Sequence, residues 1–373
     1  MSFFRKSPIY IIIFFVFILD FVITQIFGNK INDILYGKYD TNNKIAYTNR
    51  IDVHHNLKPN QNLIRKWHKP YLHITDENGL RTGNCSKYQP EKKNIFIVGD
   101  SMVESIGVDY EKTFIGLLNC DTEIKMNILN LGVASNSPIL YYEKIKQISS
   151  RIGPPFAIFV FLAVNDIQDD FKYIRIKNRI YDSSEKNLFS KDVVIGYIIN
   201  DIKFFLKNNF QVFHIIDLIK DKYEKKKRKR KVTQFKKTDK NLYNIRVDHP
   251  KTLWTIKKDL YVKYGRKGLK KSEENLNRIY ELAEKNNSKI YLVIWPAPDQ
   301  IYYNDMDSIH IKYWNNWIKN KNAKLIDLNK YFFVEDKVKT IQKYFFPGDT
   351  HWNEEGHKLI YEKIFEEIKK INF

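Results

Sequence analysis

The chain has 373 residues, 43% of them apolar and 15% aromatic, which is ample for a packed core in one large domain with attachments. Its 63 Lys and Arg against 43 Asp and Glu give a formal charge of +20. That balance suits nucleic acid, an anionic surface or an acidic polymer as partner, but the excess is mostly Lys scattered among Asn and Ile, as on solvated faces.

Residues 9–27 are nearly continuous Ile, Phe, Val and Leu, about the ~20 residues that span a bilayer, and Arg5 and Lys6 precede them. The two charges predict a cytoplasmic N-terminus. No small-residue cleavage site follows, which predicts an uncleaved single-pass anchor over residues 1–28 and places the rest outside the cytoplasmic membrane, in a periplasmic or extracellular location. Asp20 lies within the span, where a carboxylate is costly, so it is expected to be neutralised or to pair with another membrane segment.

Residues 29–93 hold polar and aromatic side chains without sustained periodicity, among them His54-His55, Trp67-His68 and the turn signal Asn78-Gly79. The region is read as a stalk packing near the first strand of the main domain, and the paired histidines as surface residues, since no ligand stands at metal spacing. Cys85 and Cys120 give one disulfide in an oxidising compartment or two unpaired thiols; their spacing does not suggest a metal site.

The main domain is read over residues 94–373. Asn94-Ile95-Phe96-Ile97-Val98 is a short apolar run that stops at Gly99-Asp100-Ser101 before a stretch able to open a helix. Residues 126–131, 156–162, 289–294 and 324–328 read as further strands, and 141–150, 273–286 and 354–371 as helices. Repeated β-α units predict a three-layer α/β/α domain with a mostly parallel five-stranded sheet, whose sites form at the carboxyl ends of its strands. An insertion at about 169–270 interrupts the pattern. It carries amphipathic helical material near 193–218 and the run Lys225-Lys226-Lys227-Arg228-Lys229-Arg230-Lys231, a solvated loop or a patch for anionic lipid or an acidic glycan. With the anchor in place, nucleic acid is a poor partner for that run.

Ser101 at the first strand's end would be a nucleophile or merely part of a helix cap, judged alone. Three further strand ends bear on the choice. Gly132 closes the second strand, Asn165-Asp166 follow the third, and Asp349-Thr350-His351-Trp352 precede the last helix. Each alone reads as a turn, a cap or a structural histidine, but in the order Ser, Gly, Asn, His they supply the parts of acyl transfer.

Over roughly residues 76–373 these motifs resemble the SGNH or GDSL hydrolase superfamily. Gly99-Asp100-Ser101 matches its first block, Gly132 its second, Asn165-Asp166 its third, and Asp349 with His351 its last. Ala163 stands where the third block usually has glycine, and Asp349 is two rather than three residues before His351. That D-x-H-W form is similar to the branch of alginate-acetylation proteins and other envelope-glycan acyl enzymes, and Asn78-Gly79-Leu80-Arg81 looks like members with an N-terminal anchor.

The resemblance implies a flavodoxin-like fold and acyl-enzyme chemistry. Ser101 attacks an ester carbonyl, His351 carries the proton and Asp349 fixes its tautomer; the Ser101 and Gly132 N–H groups and the Asn165 amide form the oxyanion hole. Asp166 is read as fixing its loop and His357 as a helix residue facing away; no metal or organic cofactor is called for. The expected function is a membrane-anchored serine esterase or O-acyltransferase acting on acyl, above all acetyl, esters of an envelope or extracellular glycan. A plain esterase for small esters or lipids stays open, and the alternative of another class is a non-catalytic glycan-binding or assembly component that retains the fold.

Overall fold

The computed structural model describes residues 8–36, 46–50, 54–176, 179–182, 245–333 and 336–371, with single positions between 206 and 216. The chain divides into two compact units, Met1–Asn42 with Glu185–Lys240, and Asn43–Ser184 with Asn241–Phe373.

In the smaller unit, α1 runs over Pro8–Tyr36, and large apolar side chains between Tyr10 and Ile26, from 37% to 65% exposed, stand outward along it. Asp20, inside this apolar stretch, accepts the Val212 N–H at 3.2 Å, and the Phe210 ring lies 5.7 Å from both Phe17 and Phe21. Among the described residues no helix is long and apolar enough to cross a membrane. The expected span of 9–27 overruns the described side chains at both ends, and Lys225 to Lys231 lie outside the described residues.

The larger unit opens with strands from the region expected as a stalk. β1 (Tyr47–Arg50) pairs antiparallel with β2 (His54–Leu57), and β3 (Asn62–Lys66), β4 (Pro70–Thr75) and β5 (Arg81–Thr82) form a second antiparallel sheet. Arg65, Tyr71, His73 and Arg81 are all buried, so this region is folded into the unit. The paired histidines differ from expectation as well. They are half-buried, with His55 Nε2 2.6 Å from the Ala134 carbonyl and its pKa lowered by burial.

The central sheet follows. β6 (Asn94–Val98), β7 (Asn127–Asn130) and β8 (Ala157–Phe161) alternate with the one-turn helix α2 (Ser101–Glu104), α3 (Phe114–Cys120) and α4 (Pro138–Ile152). After α5 (Asp166–Lys172) comes the hairpin β9 (Tyr173–Ile176) and β10 (Arg179–Asp182). Then α6 (Arg266–Lys285), β11 (Lys289–Ile294), α7 (Ile309–Ile318), β12 (Ala323–Asp327), α8 (Lys337–Tyr344) and α9 (Glu354–Ile371) complete the unit. Residues 253–269, expected inside the insertion, bring Trp254, Tyr264 and Leu269 into its core.

Every pairing in the central sheet is parallel and its order is β7-β6-β8-β11-β12. Both faces are covered, as parallel crossovers require. Ile95, Ile97, Phe159, Phe161 and Val293 point to one side, against Phe114 and Leu118 of α3 and Ile360, Ile364 and Ile368 of α9. Phe96, Val98, Ile158, Val160 and Leu292 point to the other, against Tyr141 and Ile145 of α4, Leu276 and Ile279 of α6 and Trp314 of α7. Numbered by their order along the chain, the strands lie 2-1-3-4-5, so the connections leave in opposite directions from β6 and β8. The crevice at the carboxyl ends of those two strands is where such sheets bind ligands.

Cys85, just after β5, is joined to Cys120 at the end of α3 by a disulfide that closes a 35-residue separation. Replacing both by Ser should lower the unfolding free energy by about 3 to 4 kcal/mol through the freed loop, as measured by denaturant titration.

Candidate active site

Ser101 begins α2 directly beyond β6. The Asp100 side chain accepts the Met102 N–H at 2.9 Å, and Ser105, in the left-handed region at φ 62°, ends the helix after one turn. Burial raises the Asp100 pKa against the opposing pull of its bonds from Asn165 and Met102.

His351 comes from the loop before α9. Phe345 and Trp352 form a bridge, the Phe346 N–H donates to the His351 carbonyl at 2.9 Å, and Gly348 takes φ 67°. This tight turn brings Asp349 and His351 together despite their two-residue spacing. His351 Nε2 lies 2.8 Å from Ser101 Oγ, and His351 Nδ1 lies 2.9 Å from Asp349 Oδ1. An ionised carboxylate only accepts, so Nδ1 donates to it, and Nε2 of the neutral ring is left to accept the serine hydroxyl.

Asp349 Oδ1 also takes the Thr350 N–H at 2.6 Å, while Oδ2 takes Trp67 Nε1 at 2.5 Å and His68 Nε2 at 2.9 Å. Burial acts to raise the Asp349 pKa, but the bond and charge of His351, with the bonds from His68 and Trp67, hold it far below the usual carboxylate range. Burial pulls His351 down, yet the Asp349 bond and charge outweigh it and hold the imidazole above 6.5.

Asn165 follows β8 and donates from Nδ2 to Asp100 Oδ2 at 2.9 Å. Asp166 ties the same turn, accepting the Ala163 N–H at 2.9 Å and the Tyr141 hydroxyl at 2.7 Å. Gly132 is placed differently from expectation. Its N–H donates to Asn130 Oδ1 at 2.9 Å, and a Cβ there would lie 2.3 Å from the Glu104 nitrogen, so the glycine lets the end of β7 pack against α2. The next two amides are also bound within the chain, Val133 to the Gly99 carbonyl at 3.2 Å and Ala134 to Glu104 Oε2 at 2.7 Å. His357 is buried, packs near-parallel to Phe114 at 5.9 Å, and has its pKa pushed down to about 3 by burial.

The structure thus brings Ser101, His351 and Asn165 to a cleft of about 160 Å³ walled by Met102, Trp295 and His249, with Asp349 behind His351. His249 lies in the stretch expected as insertion. Its N–H donates to Asp299 Oδ1 at 3.0 Å, and its Nδ1 accepts the Lys251 N–H at 3.3 Å, which leaves the ring proton on Nε2. Burial, with Arg246 and Lys251 nearby, pushes its pKa down to about 4, so it is a neutral donor at neutral pH.

Behind the serine lies a buried ionic cluster. Glu104 accepts Arg65 Nη1 at 2.7 Å and the Tyr47 hydroxyl at 2.6 Å, while Arg81 donates to the Glu104 and Ser105 carbonyls at 2.5 Å each. Nothing in the sequence marks Arg65 or Glu104 as buried, since a lone charged residue reads as exposed, and Arg81 stands out only within the Asn78-Gly79-Leu80-Arg81 resemblance. The adjacent indole and imidazole donors of Trp67-His68 were the visible hint of a missed contribution.

No family model matches the chain, and no curated protein matches it. Solved structures similar to it include a psychrotrophic esterase from a Pseudoalteromonas species, at 12% identity and TM-score 0.37, covering 75% of this chain and 100% of that one. A member of the lipolytic G-D-S-L family from Veillonella parvula matches at 15% identity and TM-score 0.37, covering 74% of this chain and 97% of its own. An acetylxylan esterase from Geobacillus stearothermophilus matches at 12% and 0.37, covering 76% and 96%. Likeness at that level assigns neither fold nor activity, and the chemistry rests on the geometry of this site.

Asp349→Asn removes the charge that, with the Asp349 bond, raises the His351 pKa, and leaves the burial that lowers it. Followed by NMR, the His351 titration should lie above 6.5 in the wild type and fall below that value in the variant.

Proposed function

We propose that the chain is a membrane-anchored serine hydrolase of the SGNH type, an esterase or O-acyltransferase for small acyl esters, acetyl above all, on an envelope or extracellular glycan. The observation that carries this reading is the unbroken relay of Ser101 Oγ, His351 and Asp349, with steps of 2.8 and 2.9 Å, beside a polar cleft at the sheet's switch point.

In the proposed reaction, Ser101 Oγ attacks the ester carbonyl as its proton passes to His351 Nε2, and Asp349 stabilises the imidazolium. Collapse of the tetrahedral adduct expels the alcohol, which takes that proton, and leaves an acyl-serine. Water or a sugar hydroxyl then accepts the acyl group by the reverse sequence, giving hydrolysis or transfer. The Ser101 N–H and the Asn165 amide supply the oxyanion donors, the latter through the N–H not held by Asp100, whose other contact is a long 3.4 Å one to Asp166 Oδ1, and a donor of this kind typically contributes about 2.7 to 4 kcal/mol. With its N–H held by Asn130, Gly132 shapes the turn instead. The cleft of about 160 Å³ beside Trp295 has room for an acetyl group.

The outward apolar surface of α1 and the charges of Arg5 and Lys6 support an anchor with the catalytic unit outside. The Lys225 to Lys231 run supports an acidic polymer or anionic lipid as a further partner.

The test uses the full chain in detergent micelles with an aryl acetate, with and without oligosaccharide acceptors, beside Ser101→Ala. Acetate release should fall by about 10⁴-fold or more in the variant, a fluorophosphonate should label wild-type Ser101, and the acid limb of kcat/KM should lie above pH 6.5 because the base must be neutral. Equal inertness of both proteins with no labelling overturns the reading; acetylated oligosaccharide appearing at the expense of acetate makes the protein a transferase.

A further inference from the structure

Resting on that reading, we infer that Trp67 and His68 are positioning residues of the relay, which saturate the outer oxygen of Asp349 and thereby set the basicity of His351. Their segment, the turn between β3 and β4, lies about 280 residues from the acid it serves.

A carboxylate offers about four lone-pair sites. On Asp349 all four are used: Oδ1 by Thr350 N–H and His351 Nδ1, Oδ2 by Trp67 Nε1 and His68 Nε2. The Asp349 side chain is only 9% exposed, so solvent would satisfy Oδ2 poorly without the two rings. Both rings also pack on the groups they orient. The Trp67 indole stands edge-on to the His351 ring at 5.4 Å and 80°, and His68 stacks on Phe346, within the same loop, at 4.7 Å and 9°. The turn is itself tied down. The Trp67 N–H donates to the Lys69 carbonyl at 3.2 Å, and Lys69 pairs with Glu354 at the start of α9, which Lys112 also contacts at 3.3 Å.

The charged and titratable groups facing His351 are Asp349 on its own loop, Asp100 just before α2 and Glu104 within it, His249 from across the cleft, and the buried His357 of α9. Trp67 and His68 act on the strongest of these. Each N–H they donate stabilises the Asp349 anion and weakens its pull on the His351 proton. Removing the donors should therefore strengthen that pull and raise the pH at which His351 becomes a free base. A residue that only filled space would change kcat or stability and leave that pH where it was.

The experiment measures kcat/KM against pH for Ser101-dependent acetyl-ester hydrolysis by the full chain, alongside the His351 imidazole titration by NMR. Trp67→Phe keeps a ring and loses the N–H, His68→Phe keeps the stack and loses the donor, and His68→Gln keeps a donor and loses the stack. The acid limb should rise by about 1 pH unit in W67F/H68F, which is about tenfold in rate on the acidic side. It should rise by less in each single Phe variant and stay near wild type in H68Q. A limb that stays put or falls in folded Phe variants overturns the inference, and if W67F fails to fold, H68F alone decides. The imidazole titration separates this from the enzyme reading. An upward shift in a protein without esterase activity keeps the inference and discards the activity, whereas an active enzyme with an unmoved His351 does the reverse.

Discussion

The site depends on a charge taken out of water. Glu104 lies one turn beyond Ser101, and neither it nor Arg65 has exposed surface. An isolated carboxylate in such a place is far too costly to keep, and removing one member of a buried pair typically costs about 3 to 5 kcal/mol. Glu104 is satisfied only when Arg65 from β3, the Tyr47 hydroxyl and the Ala134 N–H all reach it. The nucleophile's helix has a single turn and little hydrogen bonding of its own. Its position is fixed by this cluster and by Arg81, which holds the carbonyls at its end. The docking of the N-terminal strands is therefore a condition for placing Ser101.

Topology supplies the rest. In the 2-1-3-4-5 order, β6 and β8 are neighbours whose connections depart in opposite directions, so the chain leaves a crevice at their carboxyl ends. Ser101 follows one strand and Asn165 the other, and the Asn165 amide bonds Asp100 across the gap at 2.9 Å. The loop before α9 closes the crevice from the side and delivers His351. Residues more than 180 apart in sequence thus meet because each stands immediately after a strand or before the last helix.

That regularity is why the sheet and the relay could be read from the sequence. β6 and β11 are unbroken apolar runs, as strands covered on both faces must be, and their ends are marked by Gly99-Asp100-Ser101 and by Trp295-Pro296. Ser101, Asn165, Asp349 and His351 stand at such ends in a recognisable order. Gly132 was legible as a glycine that must be one, but not its role, because the Asn130 side chain that takes its N–H is set by tertiary packing. The N-terminal strands were illegible as such. Their buried positions are occupied by Arg65, His73 and Arg81, which no hydrophobic period reveals. His249 was hidden for another reason: it sits just beyond a charged, aperiodic stretch that swamps any local signal.

The two ends of the relay are joined by one short segment. Arg65 lies in β3 and Trp67, two residues on, in the turn that leads to β4. Arg65 grips Glu104 on the serine's helix and Trp67 grips Asp349 on the histidine's loop, so the segment between them acts as a ruler. A serine–histidine hydrogen bond tolerates only a few tenths of an ångström before it weakens, whereas a one-turn helix and a glycine-containing loop are each compliant when considered alone. Tying both to side chains two residues apart couples their positions, which two independent loop conformations would not. The strands ahead of the parallel sheet are thereby explained by what they hold: without them the sheet would still bring Ser101 and His351 to one crevice, but the link from Glu104 to Asp349 through Arg65 and Trp67 would be lost.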